Sequence, residues 1–209
     1  DETNLTCMQW EKDGRLLVGT DPSGYIYRVT PPPKESGGTN ATAFVVYDAK
    51  EKEIKSIAVA SDGAIYGAAV SDSGKEGSVY RVNADGYTEA IWSSKDAAPF
   101  ALLLRDDRHL LVGTSDRGMM LQLSPNGEAT TLFKSDSGQI TALEPAEGGK
   151  VIAATSNLGT LLEIAPNTTK EGVYDSEVID AKIFSEWGRV RAVGETPKNT
   201  GIEIYSRSG

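Results

Sequence analysis

Residues 16–29 read LLVGTDPSGYIYRV, and variants of that phrase recur as AIYGAAVSDSGKEGSVYRV at 64–82, LLVGTSDRGMMLQL at 110–123 and VIAATSNLGTLLEI at 151–164. Matching Leu17, Ile65, Leu111 and Ile152 gives spacings of 48, 46 and 41 residues. A second marker, Tyr47, Trp92, Phe133 and Tyr174, gives 45, 41 and 41. The period is therefore close to 41, with insertions in the first two units, and a fixed period of this length points to a repeat architecture.

Each unit contains four short β-patterned runs. The first pairs a small residue with an aliphatic one, as Cys7-Met8, Ser56-Ile57, Ala101-Leu102 and Ala142-Leu143. A polar turn leads into the second run, the LLVGT phrase. A glycine opens the third run each time: Gly24, Gly77, Gly118, Gly159. Turns such as Asn83-Ala84-Asp85-Gly86 and Ser124-Pro125-Asn126-Gly127 follow, with Asn and Gly supplying the positive φ that tight hairpins need. The fourth run ends aliphatic–aromatic–polar: Val46-Tyr47-Asp48, Ile91-Trp92-Ser93, Leu132-Phe133-Lys134, Val173-Tyr174-Asp175.

Four antiparallel strands in about 40 residues form the blade of a β-propeller. Small residues suit the crowded axis and aromatics the wide outer strand. Blades bury both faces, so the second and third runs read as nearly continuous apolar stretches. The expected fold is all-β, with blades at about 5–48, 53–93, 98–135 and 138–176. Residues 181–209 lose the repeat and alternate at a new spacing, which suggests exit strands or the start of a β-sandwich-like module.

The phrase from Asp13 to Val29, D-G-x-L-hydrophobic-V-G-T…G-x-hydrophobic-Y-R-V, resembles the repeat of bacterial extracytoplasmic propellers, above all the sensor propellers of two-component regulators. It is also similar to repeats of NHL, WD-like and lactonase-type propellers, although the Gly-His and Trp-Asp signatures of true WD repeats are absent. The resemblance spans residues 5–180 and implies an exported location, periplasmic or secreted. A ring of four blades can close, but most propellers have more, and these blades are not tuned for so tight a circle. An open stack of four leaves two end faces wet. At roughly 500 Å² of apolar surface each, this forgoes on the order of 12 kcal/mol per face. The expectation is a C-terminal part of a larger propeller, and a chain opening on Asp1 rather than Met agrees with it.

Composition narrows the function. With 30 acidic against 21 basic residues the formal charge is −9, and no basic stretch concentrates Lys or Arg. Nucleic acid, whose binding draws on counterion release, is excluded as an expected partner. So is membrane insertion, because no run of 18 apolar residues exists. One cysteine, Cys7, rules out internal disulfides and reads as a small buried residue. One histidine, His109, rules out multi-histidine metal sites. No nucleophile elbow, phosphate loop or twelve-residue calcium loop is present.

What remains is loop position. Loops joining strands two and three share one rim with the blade-to-blade links. There the sequence places Asp21, Asp72, Lys75, Glu76, Asp116, Arg117 and Asn157, beside Lys95-Asp96, Asp136 and Asp175-Ser176-Glu177. The plain reading is a solvated rim. The functional reading is a binding face for a protein or glycan, with Ca²⁺ as the cofactor that an acidic ring of hard oxygen ligands would suit. The 71–76 insertion enlarges this rim, and the Pro31-Pro32-Pro33 excursion lies on the opposite one.

Three functions are weighed, and the first is favoured. The first is a non-catalytic sensory or scaffolding propeller, carrying adjacent blades or modules of a larger exported protein. The second is a lactonase- or glycosidase-type hydrolase with carboxylates or a metal at the channel, for which Glu144 is the nearest candidate. The third is a subunit whose blades complete a ring with another chain.

Overall fold

The computed structural model describes residues 2–32, 40–105, 108–115, 118–166 and 170–176, and beyond these 178, 182–184, 186, 188–189, 191, 193–194, 196 and 198–207. Contacts divide the chain into two units, Asp1–Thr168 and Thr169–Gly209.

The first unit holds fifteen strands among the described residues. They are β1 (Asn4–Trp10), β2 (Leu16–Asp21), β3 (Tyr25–Thr30), β4 (Thr42–Asp48), β5 (Glu53–Val59), β6 (Ile65–Val70), β7 (Gly77–Val82) and β8 (Thr88–Ser94). There follow β9 (Pro99–Leu104), β10 (Leu110–Thr114), β11 (Met119–Leu123), β12 (Ala129–Lys134), β13 (Gln139–Pro145), β14 (Val151–Ser156) and β15 (Leu161–Ile164). They pair in chain order into antiparallel meanders: β1–β4, β5–β8, β9–β12 and a three-stranded β13–β15. These are the blades that the repeat predicts. The fourth strand expected at Val173-Tyr174-Asp175 differs: these residues carry no strand, and Val173 and Tyr174 are exposed. No strand occurs among the described residues of 181–209 either.

Apolar side chains collect into three clusters, one per seam between consecutive blades. Leu17, Ile26, Ile54, Ile57 and Ile65 fill the first seam. Tyr66, Ala68, Val79, Leu102 and Val112 fill the second, and Ala101, Leu111, Met120, Ile140 and Ala153 the third. Blades flanked on both sides bury their second strand completely, as in β6 and β10. In β14, at the end of the stack, burial alternates residue by residue. Tyr47, Trp92 and Phe133 on the outer strands pack against the seams, as their place in the repeat predicts.

The repeated phrase has a physical meaning at these seams. A Cβ on Gly19 would lie 2.7 Å from Ile54 Cγ2 and 2.6 Å from Cys7 Sγ; one on Gly113 would lie 2.6 Å from Ile140 Cγ2. The glycine is thus a floor on which the next blade's first strand rests an isoleucine. The threonine after it closes the hairpin. Thr20 Oγ1 accepts from Tyr25 N (3.1 Å) and donates to Tyr25 O (3.3 Å). Thr114 does the same with Met119, and Thr155 with Thr160.

Blade 2 departs by one residue from the match of Ile65 with Leu17, which would set Gly67 where Gly19 stands. Its register pairs Ser56 with Ala68, as Cys7 pairs with Gly19 and Ala101 with Gly113. The floor residue there is Ala68. Gly67 faces the other way, onto Ile26 of blade 1.

Overpacking a tight seam costs about 1–3 kcal/mol. Gly113→Val is expected to lower the unfolding free energy by that amount, read as a lower urea midpoint with unchanged slope. Ala154→Val, at the equivalent place on the end blade, is expected to change stability by less than about 0.5 kcal/mol.

Candidate functional site: an axial groove

The inner strands β1, β5, β9 and β13 each pair on one side only, with the second strand of their blade. Their other edge is turned toward the axis, so backbone N–H and C=O groups are presented there in four rows. Between them runs an open groove of about 420 Å³, walled by Cys7–Gln9, Lys55–Val59, Phe100–Leu104 and Thr141–Pro145. All four blades contribute.

Small polar side chains tie the rows together. Cys7 Sγ donates to Ile54 O at 3.5 Å, and Thr6 Oγ1 donates to the same carbonyl. Leu102 N donates to Ser56 Oγ at 3.1 Å. Small residues recur at this place because the blades converge there. The charge in the groove is largely neutralised: Lys55 Nζ donates to Glu53 Oε1 at 2.6 Å and stands 5.4 Å from the centre of the Phe100 ring. Glu144 is exposed at the end of β13, and Gln9 and Thr141 supply neutral polar groups. Burial pushes the Cys7 thiol up to about 11, so it is protonated at neutral pH.

The described rim residues of the sequence reading, Asp21, Asp72, Lys75, Glu76 and Asn157, do not line this groove. Asp21 accepts from Asn4 Nδ2 at 2.9 Å at one end of the stack, and Asn157 lies beside Gly138 at the other. Asp72, Lys75 and Glu76 are exposed on the 71–76 loop. That loop is closed by its own bonds, Ser71 N to Glu76 O and Gly74 N to Ser71 O, and Gly74 O accepts from Ser115 Oγ of the next blade at 3.2 Å. Asp116 and Arg117 lie outside the described residues. The placed rim residues are strung along the stack rather than gathered. Among the described residues no three His, Cys, Asp or Glu side chains come together as a metal would need. The strand-two threonines and glycines are spent on the seams and hairpins.

Two further polar clusters were not legible in the sequence. Glu51, in the link to blade 2, accepts from Ser78 Oγ (2.7 Å) and Tyr80 OH (2.8 Å), and Tyr80 packs on Tyr47 with centroids 4.9 Å apart. Burial raises both phenols, Tyr47 most, so they remain neutral donors. On the opposite rim, a notch of about 230 Å³ holds Glu11 clasped by Arg28 Nε and Nη2 at 2.7 and 2.8 Å, with Arg15 bridging to Asp13 at 2.6 Å. Its charges satisfy each other. Both clusters fasten blade 1, and neither offers unused chemistry to a ligand.

No family model matches the chain, and no curated protein sequence matches it. Solved structures do. An auxiliary nutrient binding protein from Bacteroides thetaiotaomicron is 9% identical, with a TM-score of 0.60 over 77% of this chain and 38% of that one. A proposed gluconolactonase is 18% identical, with a TM-score of 0.54 over 77% and 63%. The extracellular domain of a proposed hybrid two-component system from B. thetaiotaomicron is 18% identical, with a TM-score of 0.51 over 85% and 28%. The chain spans less than two thirds of each of these proteins. At such identities the likeness speaks for the fold: this chain is an all-β propeller of antiparallel blades.

Proposed function

We propose that the chain is a non-catalytic binding propeller that takes a polar, uncharged ligand of glycan type in its axial groove, as a sensory or scaffolding part of an exported protein. The observation that carries this is the groove's lining: four rows of strand-edge amides around an aromatic ring, with its one lysine already paired to Glu53. Hydroxyl-rich ligands use such surfaces, because edge amides and neutral side chains match their donors and acceptors while a ring covers their apolar face. A volume of about 420 Å³ fits one or two sugar rings. The nutrient binding protein and the extracellular domain of a two-component system that share the fold support a binding role of an extracytoplasmic kind. The acidic balance of the chain speaks against nucleic acid.

The hydrolase reading has one observation in its favour: Glu144 stands in the groove, and a proposed gluconolactonase shares the fold. Carboxylate hydrolysis of a glycoside needs a second carboxylate across the substrate. The one other carboxylate beside the groove described above, Glu53, is held by Lys55. Cys7 offers no alternative nucleophile while its thiol is protonated.

Calorimetry against a panel of neutral oligosaccharides is expected to find at least one ligand, whose affinity falls about tenfold or more in Phe100→Ala. Loss of that binding in a triple Asp72→Ala, Lys75→Ala, Glu76→Ala variant, with Phe100→Ala silent, would move the site to the rim. Turnover of a lactone or aryl glycoside that Glu144→Gln abolishes would overturn the non-catalytic reading.

The thiol gives an independent check on Cys7. Its folded value of about 11 exceeds the ordinary 9.0. The unfolded chain therefore releases this proton first as pH rises, and the stabilisation, full below pH 9, is lost between pH 9 and 11. Compared with Cys7→Ser, the native protein should lose up to about 2–3 kcal/mol of extra stability across that window. A thiol reagent at pH 8 should label it slowly when folded and quickly in urea.

A further inference from the structure

The inner strand of each blade carries a β-bulge, and it falls at the same place in all four. The register passes over Thr6 between Leu5 and Cys7, Lys55 between Ile54 and Ser56, Phe100 between Pro99 and Ala101, and Thr141 between Ile140 and Ala142. A bulge sets two residues against one on the partner strand, leaves the extra one out of the ladder and re-aims its side chain.

The blades serve as controls for one another here. On either side of the bulge they agree in kind. Ile54 and Ile140 rest on the glycines of the blades before them. Cys7, Ser56, Ala101 and Ala142 are small, and Ile57, Leu102 and Leu143 are buried aliphatics. Packing imposes that agreement. At the bulge it stops: a hydroxyl, an ammonium, an aromatic ring and a second hydroxyl occupy one equivalent place. The fold accepts all of them and so does not specify the residue.

Three of the four line the axial groove, Lys55, Phe100 and Thr141, on consecutive inner strands. Thr6 is spent on the first seam, where its hydroxyl donates to Ile54 O. Lys55 Nζ has three N–H donors. One goes to Glu53 Oε1 at 2.6 Å, which offsets the charge, and the ammonium stands over the Phe100 ring, 5.4 Å from its centre. Thr141 Oγ1 donates to Ala154 O at 3.3 Å and keeps its lone pairs for a ligand.

Building on the binding role set out above, we propose that the bulge is where the groove reads its ligand, with Lys55, Phe100 and Thr141 the specificity-determining residues for one sugar ring. The ring packs against Phe100, one of its hydroxyl oxygens accepts from Lys55 Nζ, and another hydroxyl donates to Thr141 Oγ1. The ligand class narrows to a neutral sugar with hydroxyls flanking an apolar face. Recognition of this kind uses residues of blades 2 to 4 and holds whatever else borders the axis.

The repeat itself supplies the variants. Lys55→Thr and Phe100→Thr install the residue that blades 1 and 4 carry at their bulges, whereas Ala101→Val fills a small position beside one. Both threonine variants should keep the parent's urea midpoint and β-sheet circular dichroism, and Ala101→Val should lower the midpoint. In calorimetry with cellotriose, maltotriose and mannotriose, the parent should bind at least one. Lys55→Thr and Phe100→Thr should each lower that affinity about tenfold or more. Thr141→Val should lower it about threefold or more, and Lys55→Arg, which keeps the donors, should stay within about threefold of the parent. Threonine variants as unstable as Ala101→Val would make the bulge residues part of the packing and overturn the proposal, with the glycan reading intact. A sugar that loses affinity in Phe100→Thr but not in Lys55→Thr would do the same. Binding of none of the three sugars by the parent would overturn both.

Discussion

The structure depends on one contact, made at the first and third seams: an isoleucine from the first strand of a blade, seated on the strand-two glycine of the blade before it. Ile54 over Gly19 and Ile140 over Gly113 leave no room for a β-carbon. Dispersion falls off steeply with separation, so bringing the backbone of one sheet against the side chain of the next makes the most of each contact. The rest follows from it. Strand two must be apolar on both faces, the hairpin after it must be clamped because its neighbour leans on it, and the clamp is the threonine that follows the floor residue. Blade 2 shows the alternative solution. It has Ala69 where the others have threonine, and its longer 71–76 loop is closed by backbone bonds and rests on Ser115 of blade 3.

That arrangement explains why the most conspicuous motif of the chain is silent about ligands. Its glycines and threonines are consumed in stacking and turning. Chemistry is left to positions the motif does not specify, and these fall into two sets. The rim residues are charged but dispersed, and each placed one is solvated or bonded locally. The groove residues are neutral or paired but converge, because four first strands meet at the axis. Convergence matters more than charge for a ligand of modest size, which must be contacted from several sides at once to repay its loss of freedom.

The comparison of sequence and structure is instructive at particular residues. Asp72, Lys75 and Glu76 attract attention as a charged insertion, yet their loop turns on its own hydrogen bonds. Phe100 and Lys55 attract none, since an aromatic and a lysine 45 positions apart in a repeat look like ordinary strand residues. They meet only when β5 and β9 lie side by side. Glu144 was legible as the nearest carboxylate to the axis because it ends a first strand. Matching Ile65 to Leu17 is one residue out, because the register with β5, not the order of apolar residues, sets which residue faces forward.

By itself the sequence determined the all-β class and the antiparallel blade unit, because these are local: a hairpin turn and a run of apolar residues carry their instructions within a few positions. It also settled the acidic character that speaks against nucleic acid. Only the tertiary structure decided which face of each strand meets the next blade, that blade 4 has three strands among the described residues, and that four inner strands line one groove. Those outcomes depend on the packing of segments about 40 residues apart. Two side chains of like character are buried or bare according to whether another blade stands in front of them, as Met120 and Leu161 show.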